Sequence, residues 1–117
     1  MTRLADRGAS VRVVGLTGPG ASDGAEWVRC DVRDSAGLRG AFEGMDLVYN
    51  LAAAHGLDGM ASESFRELNV GGARSVCQAA AAAGVLRIIF TSSAAVYGHG
   101  GFPDEASTPQ PCGDYGV

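Results

Sequence analysis

The apolar residues of this chain fall into four short runs, each bounded by glycine or polar residues. These runs predict β-strands at residues 11–14, 27–30, 47–51 and 86–91. The third and fourth runs are nearly continuous rather than alternating, which is typical of parallel strands whose two faces are both covered by helices. The pattern therefore predicts a parallel sheet with helices packed on both sides.

Helical segments separate the predicted strands. Residues 4–7 have the character of a last helical turn that ends at Gly8. A second, short helix begins at a cap formed by Asp34 or Ser35 and runs to Glu43. Strands and helices thus alternate along the chain, which predicts a doubly wound α/β fold with right-handed crossovers.

The longest predicted helix covers residues 62–83 and ends at Gly84. Its apolar positions recur every three or four residues, which places them on one face. These positions are Phe65, Leu68, Gly72, Val76, Ala79 and Ala83. A glycine inside a helix costs about 1 kcal/mol relative to alanine, so Gly72 on this face predicts a close approach to a neighbouring strand.

The chain is long enough for one small domain, which we assign to residues 1–117. Glycine accounts for 18 of the 117 residues without any regular repeat, which indicates turns and close backbone contacts rather than a fibrous protein. Three of the four prolines are Pro103, Pro109 and Pro111, so residues 98–117 are predicted to form a terminal loop.

The charged residues and cysteines exclude several classes of partner. The 9 basic residues are all arginines and form no cluster, and the net charge is −4, so a nucleic-acid-binding face is not expected. No stretch approaches the roughly eighteen apolar residues of a membrane span, and the first residues do not resemble a signal peptide. Cys30, Cys77 and Cys112 lack the spacing of a zinc site or a disulfide framework. We therefore expect a cytoplasmic protein with reduced thiols and no metal.

Three groups of chemically useful residues follow predicted strands, and parallel α/β sheets bind ligands at such carboxyl ends. Asp31 follows the second strand, and its carboxylate can accept from an adenine amino group or cap the next helix. The small residues 52–54 follow the third strand, where they either admit a flat ligand or pack tightly. The hydroxyl residues 91–93 end the fourth strand and can bind a substrate oxygen. His55 is predicted to be a loop residue rather than a catalyst.

Taken together, these segments resemble the extended short-chain dehydrogenase/reductase superfamily, in its NAD-dependent epimerase/dehydratase branch that acts on nucleotide sugars. The matching segments keep the family's order and spacing over almost the whole chain. They are Cys30-Asp31-Val32-Arg33-Asp34, Leu51-Ala52-Ala53, Asn69-Val70-Gly71-Gly72, residues 91–98 and residues 111–116. The resemblance implies a Rossmann-type doubly wound parallel sheet and hydride transfer to and from NAD, with NADP as the alternative.

The resemblance also implies a role for each site residue. It places Asp31 and Val32 at the adenine of the cofactor. It places Leu51, Ala52 and Ala53 at the phosphates and ribose. Thr91 and Ser92 would lie near the nicotinamide, and Tyr115 would also contact the cofactor. Ser93 would orient the reacting substrate oxygen, and Tyr115 would be the catalytic acid and base. Asn69 would support the site from the long helix, and Tyr97 would be structural.

The sequence departs from the family pattern at both ends and after the first predicted strand, and these departures bear on function. The chain begins after the family's first strand and Gly-rich turn, ends two residues beyond Tyr115, and has no lysine four residues beyond that tyrosine. The strand at residues 11–14 is followed by Gly15 and Leu16 instead of an acid for the ribose hydroxyls, which leaves NAD and NADP open. We therefore expect a fragment, with the first strand missing, of an enzyme that acts on a nucleotide sugar and dimerises through helix 62–83. The alternative is a non-catalytic fragment or pseudoenzyme that binds nucleotides weakly at most.

Overall fold

The computed structural model describes residues 2–18, 24–55 and 61–116. Its strands are β1 (Arg12–Gly15), β2 (Glu26–Arg29), β3 (Leu47–Asn50) and β4 (Arg87–Phe90). Each strand begins and ends within one residue of its predicted position. The predicted strands are therefore confirmed, because β-branched and aromatic residues favour extended backbone while the flanking glycines and polar residues interrupt it.

The strands pair in parallel, β1 with β2 and β3 with β4. Parallel neighbours require a long crossover connection, and between β3 and β4 this connection is the long helical region described below. Within the described residues the two pairs do not share a hydrogen-bonded ladder. The described residues therefore contain two separate pairs of parallel strands.

Two short helices come before β3, namely α1 (Thr2–Ala5) and α2 (Ser35–Phe42). Of the two candidate caps for α2, the structure selects Asp34, whose Oδ1 accepts a hydrogen bond from the N–H of Gly37 at 3.0 Å. After α1 the chain turns at Gly8, which has a φ of 79°. Glycine adopts this left-handed conformation without strain, so the predicted end of the first helix is confirmed.

The predicted helix 62–83 is present but is not uniform. It consists of α3 (Ser62–Arg66), a π-helical segment (Glu67–Gly71) and α4 (Gly72–Ala82). A π-helical turn is wider than an α-helical turn and is common at functional sites. The prediction of a regular α-helix is therefore wrong for residues 67–71, because the spacing of apolar residues does not distinguish the two kinds of turn.

Gly72 makes a close contact, but its neighbour is a loop rather than a strand. A Cβ atom at Gly72 would lie 2.8 Å from Cγ2 of Val32, which belongs to the loop after β2. The predicted close approach is confirmed and its partner is corrected: the first turn of α4 packs directly on the loop that leaves β2.

The core lies between α2, α4 and one face of the strands. At its centre is Leu38, which is only 1% exposed. The buried residues packed with it are Cys30, Ala41, Phe42, Val48, Val76, Ala79 and Ala80. On the opposite face of β3 and β4, the described residues Leu47, Tyr49 and Ile89 are exposed. Within the described residues α2 and α4 both pack on the buried side of these strands, and this other side is left exposed.

The last part of the chain is mostly irregular. After a 3₁₀ helix (Ala94–Tyr97), regular structure resumes only in the short helix α5 (Gly113–Gly116). Between them the chain folds back on itself, because the N–H of Gln110 donates to the carbonyl oxygen of Val96 at 3.0 Å. This contact brings α5 close to the residues that follow β4.

Candidate functional site

The loops that leave β3 and β4 lie side by side. Asn50 and Phe90 end the two strands as register partners, and the N–H of Thr91 donates to the carbonyl oxygen of Asn50 at 3.1 Å. Residues 51–53 and the hydroxyl residues 91–93 therefore start from neighbouring positions at the carboxyl edge of the strands. The structure brings these two predicted parts of the site together.

The loop after β3 is open to solvent at its start and tied to the long helix at its end. Residues 51–53 are exposed, and the side-chain oxygen of the buried Asn50 accepts a hydrogen bond from the N–H of Ala52 at 3.3 Å. Asn69, in the π-helical segment, binds both backbone groups of Ala54: its Oδ1 accepts from the N–H at 2.7 Å, and its Nδ2 donates to the carbonyl oxygen at 3.1 Å. Asn69 therefore fixes the path of this loop.

The same helical region also contacts the loop after β2. Gly72 packs on Val32, and Oε1 of Glu67 lies 3.7 Å from Nη1 of Arg33. In the described residues the two strand pairs have no shared ladder. The π-helical segment and the first turn of α4 therefore contact both the loop after β2 and the loop after β3, and they help to position these loops relative to each other.

Asp31 is held by Arg33, two residues further along the loop. Its Oδ1 accepts hydrogen bonds from the backbone N–H of Arg33 at 2.9 Å and from Nε at 3.0 Å, and its Oδ2 accepts from Nη2 at 2.7 Å. These bonds, chiefly those of the Arg33 side chain, lower the pKa of Asp31 to about 2. Since Asp34 caps α2, Asp31 is not a helix cap, and it presents an ionised carboxylate at the carboxyl end of β2.

The lowered pKa of Asp31 predicts a pH dependence of stability. The pKa is about 2 in the folded chain and about 3.9 in an unfolded one, so the stabilisation is complete above about pH 4 and disappears as the pH falls toward about 2. The free energy of unfolding of the wild type should exceed that of Asp31→Asn at neutral pH, and the difference should shrink through this window. Urea denaturation at stepped pH measures it, and Arg33→Ala should abolish the same dependence. A difference that stays constant from neutral pH to about pH 2 would contradict the assignment.

The hydroxyl residues after β4 lead directly into the 3₁₀ helix. Ser93 caps this helix, since its Oγ accepts a hydrogen bond from the N–H of Ala95 at 3.2 Å. Because Oγ acts as the acceptor there, its own proton can be donated to a substrate oxygen. Ser93 is half-buried, whereas Thr91 and Ser92 are exposed. The structure thus holds Ser93 more firmly than the two residues before it.

Tyr115 lies on α5, which packs against the 3₁₀ helix. A Cβ atom at Gly116 would lie 2.7 Å from the carbonyl oxygen of Ala95, two residues after Ser93. The Tyr115 ring is beside that of His55, with centroids 6.1 Å apart and planes tilted by 59°. The fold therefore brings the segments of the two predicted catalytic residues together, and it adds a histidine that the sequence assigned only to a loop.

The described part of the chain shows no candidate metal site and no membrane-spanning helix. In residues 2–18, 24–55 and 61–116, no group of three or more His, Cys, Asp or Glu side chains is placed to hold a metal ion. None of the helices within these ranges is both long and apolar enough to cross a membrane. Cys30 is part of the core, where burial raises the pKa of its thiol.

Comparison with known proteins gives the family. The model of the NAD dependent epimerase/dehydratase family matches residues 1–117. The chain belongs to this family. Membership in the NAD dependent epimerase/dehydratase family confirms the resemblance drawn from the sequence motifs, and it makes the strand-end loops described above the expected place for a dinucleotide.

Relatives of this epimerase/dehydratase chain include enzymes that act on sugars linked to diphosphates. It is 44% identical over 89 residues to the N-acetyl-alpha-D-glucosaminyl-diphospho-ditrans,octacis-undecaprenol 4-epimerase of Escherichia coli O157:H7, a match that covers 74% of this chain and 26% of the relative. Its fold is similar to a crystal structure of UDP-glucose 4-epimerase, with a TM-score of 0.84, 32% identity, and coverage of 98% of this chain and 38% of that one. It is also similar to MoeE5 in complex with UDP-glucuronic acid and NAD, with a TM-score of 0.85, 26% identity, and coverage of 98% and 39%. These similarities confirm the Rossmann-type fold, and the chain spans less than half the length of each relative.

Two contacts of the site could not be anticipated from the sequence alone. The ring contact of His55 with Tyr115 joins residues that are far apart in the chain, and no local pattern marks it. The pairing of Arg33 with Asp31 had a weak signal, because a basic residue two positions after an acid in a turn can fold back onto it. Neither residue type nor spacing distinguishes that pair from two solvated charges.

Proposed function

We propose that this chain forms the dinucleotide-binding part of an NAD-dependent nucleotide-sugar epimerase or dehydratase. The observation that carries the proposal is the convergence at the carboxyl ends of the strands. One helical region holds the loops after β2 and β3, and the hydroxyl residues after β4 lie beside the second of these loops. The similarity to MoeE5 in complex with UDP-glucuronic acid and NAD supports the proposal.

The residues at the strand ends fit a dinucleotide in their chemistry. Asp31 offers an ionised acceptor for the adenine amino group, with the half-buried Val32 beside it. Residues 51–53 are small or exposed, so phosphates and ribose can approach their backbone. Thr91 and Ser92 present exposed hydroxyls for the nicotinamide end, which Tyr115 would also contact. We therefore propose NAD as the cofactor, bound across all three loops.

The proposed catalytic residues act on one substrate oxygen. When bound, NAD supplies a hydride acceptor that can return the hydride to the sugar. Tyr115, with its phenolic oxygen ionised, would take the proton of the reacting hydroxyl on oxidation and, as the neutral phenol, give it back on reduction. Ser93 would donate its Oγ proton in a hydrogen bond to the same oxygen and so orient it. The packing of Gly116 on Ala95 supports this pairing, because it holds the two segments together.

We extend the proposal to the whole protein. The chain spans 26% of its Escherichia coli relative, and apolar side chains of β3 and β4 are exposed, although strands of this kind are normally covered on both faces. Both facts support a longer enzyme, of which residues 1–117 form the dinucleotide-binding domain and residues 98–117 lead to the active-site helix. The remainder would bind the nucleotide sugar. We further propose a cytoplasmic enzyme that dimerises through helix 62–83, where Val70 is exposed.

A bulky side chain in the loop after β3 should exclude the cofactor. In the whole protein, Ala53→Phe should weaken NAD binding by about tenfold or more, because Ala53 is exposed where the phosphates and ribose would lie. Ala9→Phe is the matched control, since Ala9 is equally exposed but precedes β1 at the other end of the strands. Isothermal titration calorimetry with NAD measures both, and interconversion of UDP-hexoses measures activity.

Three results of this experiment decide the proposal. Weakened binding in Ala53→Phe alone, together with turnover by the wild type, supports it. NAD binding without turnover of any nucleotide sugar would favour the non-catalytic alternative. A wild-type protein that binds no NAD, or equal effects of the two substitutions, would contradict the placement of the cofactor.

A further inference from the structure

Arg33 lies in the loop after β2, contacts both Asp31 and Glu67, and has no part in the proposed chemistry. We propose that Arg33 is a positioning residue that fixes the carboxylate of Asp31 for recognition of the adenine amino group. This inference rests on the proposed function, because it needs a dinucleotide whose adenine lies at the end of β2. Arg33 itself would not touch the cofactor.

The hydrogen bonds of Arg33 orient the Asp31 carboxylate and leave one of its acceptor positions unused. The carboxylate receives the backbone N–H and Nε of Arg33 on Oδ1 and Nη2 on Oδ2. A carboxylate has about four acceptor positions, so three of them are used and the remaining one is on Oδ2. A planar guanidinium that binds side-on with two donors fixes the plane of the carboxylate as well as its distance. Oδ2 is therefore the atom that we assign to the adenine.

Arg33 also connects this loop to the long helix. Its Nη1 lies 3.7 Å from Oε1 of Glu67, the first residue of the π-helical segment. The Arg33 side chain is 46% exposed and that of Glu67 is 64% exposed, so solvent weakens this pair. The contact with Asp31 is the shorter one, at 2.7 Å, and the Asp31 side chain is only 27% exposed. Arg33 therefore acts mainly through Asp31.

The distinguishing measurement uses two dinucleotides that differ in the purine group opposite Asp31 and in the protonation of the adjacent ring nitrogen N1. NAD carries an amino group on its purine, whereas nicotinamide hypoxanthine dinucleotide carries a carbonyl oxygen at the same position. The wild type should prefer NAD, because a carboxylate accepts from an amino group and repels a carbonyl oxygen. Calorimetric titration of the whole protein with each compound gives this preference as a ratio of dissociation constants.

Arg33→Ala should reduce the preference for NAD by about tenfold, the size of one charge-assisted hydrogen bond, and should change binding of the hypoxanthine compound little. Arg33→Lys should lie between the two, because lysine keeps the charge but lacks the two-pronged geometry. Arg39→Ala is the matched control: it removes another exposed arginine, from α2, and should leave the ratio unchanged. In an Asp31→Ala background, Arg33→Ala should have no further effect on the ratio.

Each other outcome overturns part of the argument. Equal weakening of both dinucleotides by Arg33→Ala, or the same effect in the Asp31→Ala background, would show that Arg33 acts independently of Asp31. An unchanged ratio in both Arg33 variants would also overturn its positioning role. A wild type that binds neither dinucleotide would instead refute the proposed function itself. Circular dichroism of each variant confirms folding, and Arg33→Lys serves if Arg33→Ala does not fold.

Discussion

Replacing Tyr115 with phenylalanine in the whole protein should lower kcat by about 100-fold to about 10,000-fold, the usual contribution of a general acid or base. The substitution removes only the hydroxyl group, so the ring can keep its contact with His55 and α5 can keep its packing on the 3₁₀ helix. KM for the nucleotide sugar should change little, because the lost group acts on the reacting proton rather than on the rest of the substrate. Steady-state kinetics with a UDP-hexose measures both constants.

Tyr97→Phe is the matched control for this experiment. Tyr97 ends the 3₁₀ helix and is half-buried, and it carries the same hydroxyl group. Since the family resemblance implies only a structural role for Tyr97, kcat should stay within about twofold of the wild type. Near wild-type turnover in Tyr115→Phe, or an equal loss in both variants, would remove Tyr115 from its proposed role.

Leu38→Ala should lower the free energy of unfolding by about 3 kcal/mol. Leu38 is 1% exposed and lies between α2, α4 and the strands, so alanine would leave a cavity that the packed neighbours cannot fill. Native domains are stable by only about 5 to 15 kcal/mol, so this loss is a large part of the total. Urea denaturation followed by circular dichroism measures it.

Leu86→Ala provides the control of the same residue type. Leu86 is 82% exposed, and its truncation should change the free energy of unfolding by less than about 0.5 kcal/mol. Both variants remove the same atoms from the unfolded chain, so the difference between them reports burial. Similar effects of the two substitutions would show that the core is not centred on Leu38.

The sequence predicted the strands and the extent of the long helix because these depend on local spacing. Apolar runs bounded by glycine place the four strands to within one residue, and apolar residues three and four positions apart mark residues 62–83 as helical. Asp34 was one of two local candidates for the cap of α2, and the bond to Gly37 decides between them. Such features need only the next few residues for their stability.

The positions of the residues that follow the strands were predictable from the sequence, but the contacts that hold their loops were not. The residues that follow the strands could be named from the sequence, because every parallel strand presents its carboxyl end to the same edge. The contacts that hold these loops in place could not be predicted from the sequence. Asn69 reaches Ala54 from a π-helical turn that periodicity does not reveal, and Gly72 packs on a loop although a strand was predicted.

The sequence by itself determined the class of fold, the family and the residue types at the strand ends, since local patterns and ordered motifs encode them. Only the tertiary structure decided that Arg33 holds Asp31, that His55 lies beside Tyr115, and that one face of β3 and β4 is exposed in the described residues. The physical reason is that these features depend on which side chains meet across long stretches of chain. Many different sets of tertiary contacts are compatible with the same local sequence pattern, and close packing of the side chains favours one set.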